Sequence, residues 1–397
     1  MNLVGFFKKN YSWVLLVLFI IFLEITTLLW ILFDKSPPLW DQANYLKVSN
    51  DFYYALKTQG LGGLSHEWLS AIKIKPPLLS LLVLPFYLFF GHGQFSASLL
   101  YLVLIALFNI FLFLLVRELF KEKIALVSTV IASTMPLVFG LSRQFFVEYG
   151  LMTLVIIWIY LLLKSDFLRN NRYNLLLGIL LGLGLLFKIT FIVFIAGPFF
   201  VILFSSFRSR KECLKNTLAN FSIIILPGAL IALSWYWQNF RNFWNFTKYV
   251  GLSEIQAPTP WIQKLFSSWI MSIPVNISVY YFVLLILFGL IFLYLVIAKK
   301  IKIRLSLGFY LVFIWFFVPF LTFTILQTPC YRWTLAIYPA LAIILGWLLI
   351  NFIKQSSLIV AFLVIPIIFY YLLTFGADIL PNKEIRLGSL LIFSQDG

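Results

Sequence analysis

Charged side chains are scarce in this chain. Asp, Glu, Lys and Arg make up 11% of the 397 residues, and only 14 of them are acidic. A soluble domain carries about 25% charged residues, so a water-facing surface around the whole molecule is excluded. Histidine and cysteine are scarcer still, at two residues each. His66 and His92 are too few and too scattered for a histidine-rich metal cluster. Cys213 and Cys330 fall in loops placed on opposite sides of a membrane, so they form neither a disulfide nor a metal site. No Gly-rich phosphate loop, Ser/His/Asp set or nucleotide fingerprint is visible. Without a cytoplasmic domain, a nucleotide-fed enzyme is disfavoured.

What is present is apolar. Hydrophobic residues account for 62% of the sequence and the mean hydropathy is +1.00, which predicts a polytopic membrane protein. The 44 Phe, 19 Tyr and 13 Trp suit lipid-facing surfaces and interfacial belts. Eleven apolar runs are candidate spans, roughly 13–33, 94–116, 124–141, 149–164, 173–187, 189–206, 218–236, 277–298, 305–326, 333–350 and 358–375. The first follows Lys8 and Lys9, but is too long for a signal peptide and lacks a small-residue cleavage site, so it reads as a retained helix. The stretch 77–90, about 14 residues, reads as re-entrant or interfacial. The expected fold is therefore all-α: one membrane bundle over 1–397, with a first outer loop at 34–93 and a short outer tail at 376–397.

Charge sets the expected orientation. With a cytoplasmic N-terminus, the inner segments hold more than half of the 30 basic residues and only the acids Glu118, Glu122, Asp166 and Glu212. The long first loop, with its amphipathic helix around Tyr45–Leu56, then faces outward. A structureless loop of about 60 residues is unexpected as mere connection.

Asp41 precedes that amphipathic helix and reads either as an N-cap or as a general base for a hydroxyl acceptor. Lys75 stands before Pro76 and Pro77, either as a snorkelling lysine at a rigid turn or as a phosphate contact. Glu148 lies at the outer turn between the third and fourth spans, five residues after Arg143; it is either an interfacial anchor or a functional carboxylate. Lys188 interrupts the apolar run 175–207 after Gly178, Gly182 and Gly184, and Arg332 opens the tenth span between Tyr331 and Trp333. Each base reads equally as an anchor or as part of a site for an anionic lipid head group. Glu24, inside the first span, reads as protonated or paired.

Taken in order, these motifs resemble the GT-C superfamily of integral-membrane glycosyltransferases. The chain is more narrowly similar to bacterial relatives of the dolichyl-phosphate-mannose protein mannosyltransferases and of the lipid A aminoarabinose transferase. The resemblance rests on Asp41, Lys75-Pro76-Pro77-Leu78, Ser142-Arg143 with Glu148, the Gly178–Lys188 helix, Trp235-Tyr236 with Asn239, and Tyr331-Arg332 with Tyr338-Pro339. The chain departs from the pattern where Gln42 replaces a second acid, Ile74 a glutamate and Glu148 an aspartate. The resemblance implies inverting transfer of a sugar from a polyprenyl-phosphate donor to a hydroxyl acceptor on a lipid, glycan or protein, at the outer face of the plasma membrane. Asp41 and Glu148 are the implied catalytic pair. Lys75, Arg143, Lys188 and Arg332 are the implied phosphate ligands, and Tyr45, Tyr331 and Tyr338 the implied substrate contacts. No metal ligand is assigned and no cofactor is required, with a divalent metal left open. Nucleic acid is not an expected partner. The rival expectations are a transporter or flippase of lipid-linked sugars, and an inactive scaffold with this fold.

Overall fold

The computed structural model describes residues 11–34, 36–38, 41–208, 214–255, 269, 272–300, 306–325, 331–353, 355–368, 384–387 and 390–394. Cys213, Cys330 and the Tyr331 side chain lie outside the described residues.

Over the described residues, every expected span corresponds to helix. The bundle comprises α1 (Tyr11–Phe33), α2 (Asp41–Ser70), α3 (Leu78–Leu82), α4 (Leu84–Phe90), α5 (Gln94–Leu119), α6 (Glu122–Ser133), α7 (Pro136–Leu141) and α8 (Val147–Lys164). It continues with α9 (Asn171–Phe187), α10 (Phe191–Arg208), α11 (Leu214–Ile255), α12 (Ser272–Ile277), α13 (Val279–Ile297), α14 (Leu307–Ile325), α15 (Tyr338–Phe352) and α16 (Ser356–Ile367). A 3₁₀ turn, Tyr331–Ile337, leads directly into α15. The all-α reading holds for the bundle; the tail adds an antiparallel hairpin, Glu384–Leu387 with Leu390–Ser394. Among the described residues seven helices are long and apolar enough to cross a bilayer, and four shorter apolar helices accompany them. The chain is a multi-pass membrane protein.

Three local differences from the expected spans have clear causes. The third span is two helices, because Pro136 lacks an N–H and forces Met135 into extended backbone, φ −68° and ψ 130°. The stretch 77–90 is broken at Val83 into helices of five and seven residues. Together they reach roughly 20 Å, short of a ~30 Å hydrocarbon core. The first-loop helix runs on to Ser70 through a break at Gly60, whose φ of 63° suits a residue without Cβ.

Close helix approach positions the site. A Cβ at Gly178 would lie 2.6 Å from the Ile224 carbonyl oxygen, and one at Gly182 would lie 2.6 Å from Ile231 Cβ. These glycines let α9 lie against α11. Trp158 on α8 donates its indole N–H to Leu177 O on α9 at 3.1 Å. The end of α9, where Lys188 sits, is thus fixed against both neighbours. Helix α11 has 42 residues, roughly 60 Å at 1.5 Å per residue. It is tied to the first loop by Trp68 Nε1 donating to Ser234 O at 3.2 Å and Asn239 Nδ2 donating to Leu69 O at 3.1 Å.

Candidate active site

Five segments distant in sequence meet at the N-terminus of α2. Asp41 is its first residue, so the carboxylate lies where the helix dipole favours negative charge. Lys75 Nζ donates to Asp41 Oδ1 at 2.7 Å and Arg332 Nη2 donates to Oδ2 at 3.3 Å. Each carboxylate oxygen therefore holds one cation. A second pair involves Glu148, in the first turn of α8, whose Oε1 accepts from Lys188 Nζ at 3.0 Å. Glu148 is buried, and its Oε2 has no hydrogen-bond partner among the described residues. Lys75, Lys188, Arg332 and Asp41 are only partly covered, with 22–32% of each side chain exposed.

The 3₁₀ turn joins the two pairs. Arg332 reaches Asp41, while the adjacent Trp333 ring lies 5.0 Å from Lys188 Nζ. The Arg332 guanidinium also covers the Phe146 ring at 4.3 Å, and its charge acts on both carboxylates. Phe146 immediately precedes α8, and its carbonyl accepts a hydrogen bond from Tyr101 OH. Gln42 Oε1 accepts from Phe145 N at 3.2 Å, which pins the start of α2 to the segment before α8.

Electrostatics follow from this layout. Partial burial raises the Asp41 pKa, but the hydrogen bond and charge of Lys75, with the charge of Arg332, outweigh it. The carboxyl ends below its ordinary value of 3.8. Tyr45, one turn along α2, is pushed far above the usual phenol range by burial and by the charges of Glu148 and Asp41. It remains a neutral donor. The paired groups hold three cations against two carboxylates, which leaves an excess of positive charge for an anionic ligand.

The structure brings Asp41, Lys75 and Arg332 together directly, with Glu148, Lys188 and Tyr45 beside them. Arg143 is buried with its guanidinium 3.9 Å from the Phe139 ring and 5.3 Å from that of Trp30. Tyr338 is fully buried and accepts from Asn276 Nδ2 at 2.7 Å; it anchors the base of the 3₁₀ turn. Phe146, Trp333 and Phe246 join the site without any sequence signal of their own, and Gln42, which in the sequence only stands in place of an acid, joins through Phe145 N. Phe246, on α11, lies 5.8 Å from Lys75 Nζ.

No group of three or more His, Cys, Asp or Glu among the described residues could hold a metal ion. Lysine and arginine occupy both oxygens of Asp41 and would repel a divalent cation there. The residues present do not fit a metal at this carboxylate.

Residues 74–237 match the family model for dolichyl-phosphate-mannose-protein mannosyltransferase. Among solved structures, the chain is similar to ArnT from Cupriavidus metallidurans bound to undecaprenyl phosphate. The TM-score is 0.62 at 15% identity, over 93% of this chain and 64% of that one. The fold is of the GT-C type. The archaeal oligosaccharyltransferase AglB from Archaeoglobus fulgidus, in complex with an inhibitory peptide and a dolichol-phosphate, shares this GT-C fold. Its TM-score is 0.52 at 14% identity, over 95% of this chain and 57% of that one. The chain spans less than two thirds of the length of either protein. No curated protein matches it in sequence.

Proposed function

We propose that the chain is an inverting glycosyltransferase. It moves a sugar from a polyprenyl-phosphate donor to a hydroxyl acceptor at the outer face of the plasma membrane, with its N-terminus in the cytoplasm. The observation that carries this reading is the Asp41 carboxylate held by Lys75 at 2.7 Å and Arg332 at 3.3 Å, beside the Glu148–Lys188 pair. The match to the mannosyltransferase family model supports it. So do the undecaprenyl phosphate and dolichol-phosphate bound in two proteins of the same fold.

The chemistry follows from the donors and acceptors present. An ammonium offers three N–H groups and a guanidinium five. Lys75 and Arg332 can therefore hold Asp41 and a donor phosphate together, and Lys188 adds a third cation. As the phosphate draws on these charges, Asp41 regains basicity and takes the proton of the acceptor hydroxyl. The acceptor oxygen attacks the anomeric carbon, the bond from that carbon to the phosphate oxygen breaks, and the leaving polyprenyl phosphate keeps the electron pair. Lys75, Lys188 and Arg332 stabilise that charge. Glu148 fixes Lys188, and its second oxygen is free to orient the acceptor. Tyr45 supplies a neutral hydroxyl donor.

The test uses purified protein in sealed liposomes with a labelled polyprenyl-phosphate sugar and a panel of hydroxyl acceptors. Sugar transfer with release of polyprenyl phosphate, lost in Asp41→Asn, is the expected result. Translocation of the intact donor without release would assign the chain to the transporters instead.

A further inference from the structure

The outer part of α11 has two faces of different character. Asn239, Phe243 and Phe246 recur at spacings of four and three, so they share one face. Asn239 and Phe243 are buried, Asn239 being tied to Leu69 O. Trp237, Phe240 and Trp244 occupy the other face and are 81%, 56% and 46% exposed. The inward face carries Phe246 to 5.8 Å from Lys75 Nζ, while Tyr45 places its ring 5.9 Å from the same nitrogen. Both rings fall within the ~6 Å range over which an aromatic quadrupole attracts a cation. The ammonium is thus held by one carboxylate and two rings, from α2 and α11. Only one of those rings, Tyr45, belongs to the first loop.

We infer that Phe246 is a positioning residue: with Tyr45 it cages the Lys75 ammonium, so that its free N–H groups stay aimed at the donor phosphate. The inference rests on the reading of Lys75 as a phosphate ligand. It makes the outer part of α11 a working part of the site and not only a continuation of a span. A lysine on a flexible four-carbon stem loses much rotamer freedom when fixed. Rings on two separate helices fix it without competing for its hydrogen bonds.

The experiment measures binding of undecaprenyl phosphate to the full chain in nanodiscs, and the donor KM and kcat. Phe246→Leu and Phe246→Met keep apolar bulk but remove the ring. Each is expected to weaken binding and raise the donor KM by roughly three- to tenfold, with kcat little changed. Phe246→Tyr, which keeps the ring, is expected to stay within about twofold of the native protein. Phe240→Leu, on the opposite face, is expected to change neither quantity. Native-like binding by both ring-less variants, or equal loss in Phe246→Tyr, would overturn the cage. Unchanged binding in Lys75→Met would instead overturn the reading of Lys75 beneath it.

Discussion

Lys75 and Asp41 are 34 positions apart, yet the Lys75 ammonium donates to the Asp41 carboxylate at 2.7 Å. A lysine at a rigid turn and an acid at a helix start are each unremarkable alone. Joined, they form a charged centre next to a second ion pair at the same end of the bundle. Removing the lysine charge tests both of its duties. Lys75→Met is expected to lower transfer and undecaprenyl phosphate affinity by roughly 10- to 100-fold, the scale of a hydrogen bond to a charged group. Lys75→Arg is expected to recover part of both. Steady-state kinetics and equilibrium binding check this.

Acid is the second probe. The folded Asp41 carboxyl lies below its ordinary 3.8, so its pairing stabilises the fold above that value. That contribution is lost as pH falls through the lower folded pKa. Asp41 therefore stays ionised throughout the neutral and mildly acidic range. Arg332→Gln removes one of the cations and is expected to move the acid-side loss of activity to higher pH. A pH–rate profile of the two proteins reads it directly; identical acid limbs would show that Arg332 does not act on Asp41.

The Glu148–Lys188 pair makes a prediction about stability. Glu148 is buried, with 6% of its side chain exposed. Glu148→Gln leaves Lys188 without its counter-charge and is expected to cost ~3 kcal/mol. Adding Lys188→Met should restore much of that loss in stability while leaving transfer low. Thermal unfolding in one fixed detergent, run on both single variants and the double, measures the coupling.

Packing behind the site is the fourth target. Gly178→Leu would drive a side chain into the carbonyls of Ile223 and Ile224. Overpacking of this kind costs about 1–3 kcal/mol. Since α9 ends at Lys188, donor affinity should fall together with the melting temperature. Gly140→Leu, where a Cβ would meet nothing within 4 Å, should leave both near native values.

Helical character was legible wherever apolar residues ran uninterrupted, because length and composition alone decide that a segment is helical in lipid. Breaks within those runs were less legible. Pro136 splits the third span by a backbone effect that a hydropathy window averages away. The ionisable half of the site was also readable, since Asp41, Lys75, Glu148, Lys188 and Arg332 stand out against an apolar background. Its aromatic half was not. With 44 Phe in the chain, nothing local separates Phe146 or Phe246 from a lipid-facing phenylalanine; only tertiary proximity to a cation does. In the sequence Gln42 reads only as a missing acid, whereas in the structure it accepts a hydrogen bond from Phe145 N. The pairing of Lys75 with Asp41, and of Lys188 with Glu148, needed coordinates.

The 3₁₀ turn Tyr331–Ile337 touches one carboxylate through Arg332 and the other pair's lysine through Trp333. Seven residues is long for this geometry, which is usually confined to three or four. Its lower end is pinned where Asn276 bonds Tyr338 and where Thr334 and Tyr338 exchange a hydroxyl contact. Such a segment is a crossbar: a shift at its foot would carry Arg332 and Trp333 together. Damage at Asn276 would therefore reach both carboxylates together, although that residue touches neither.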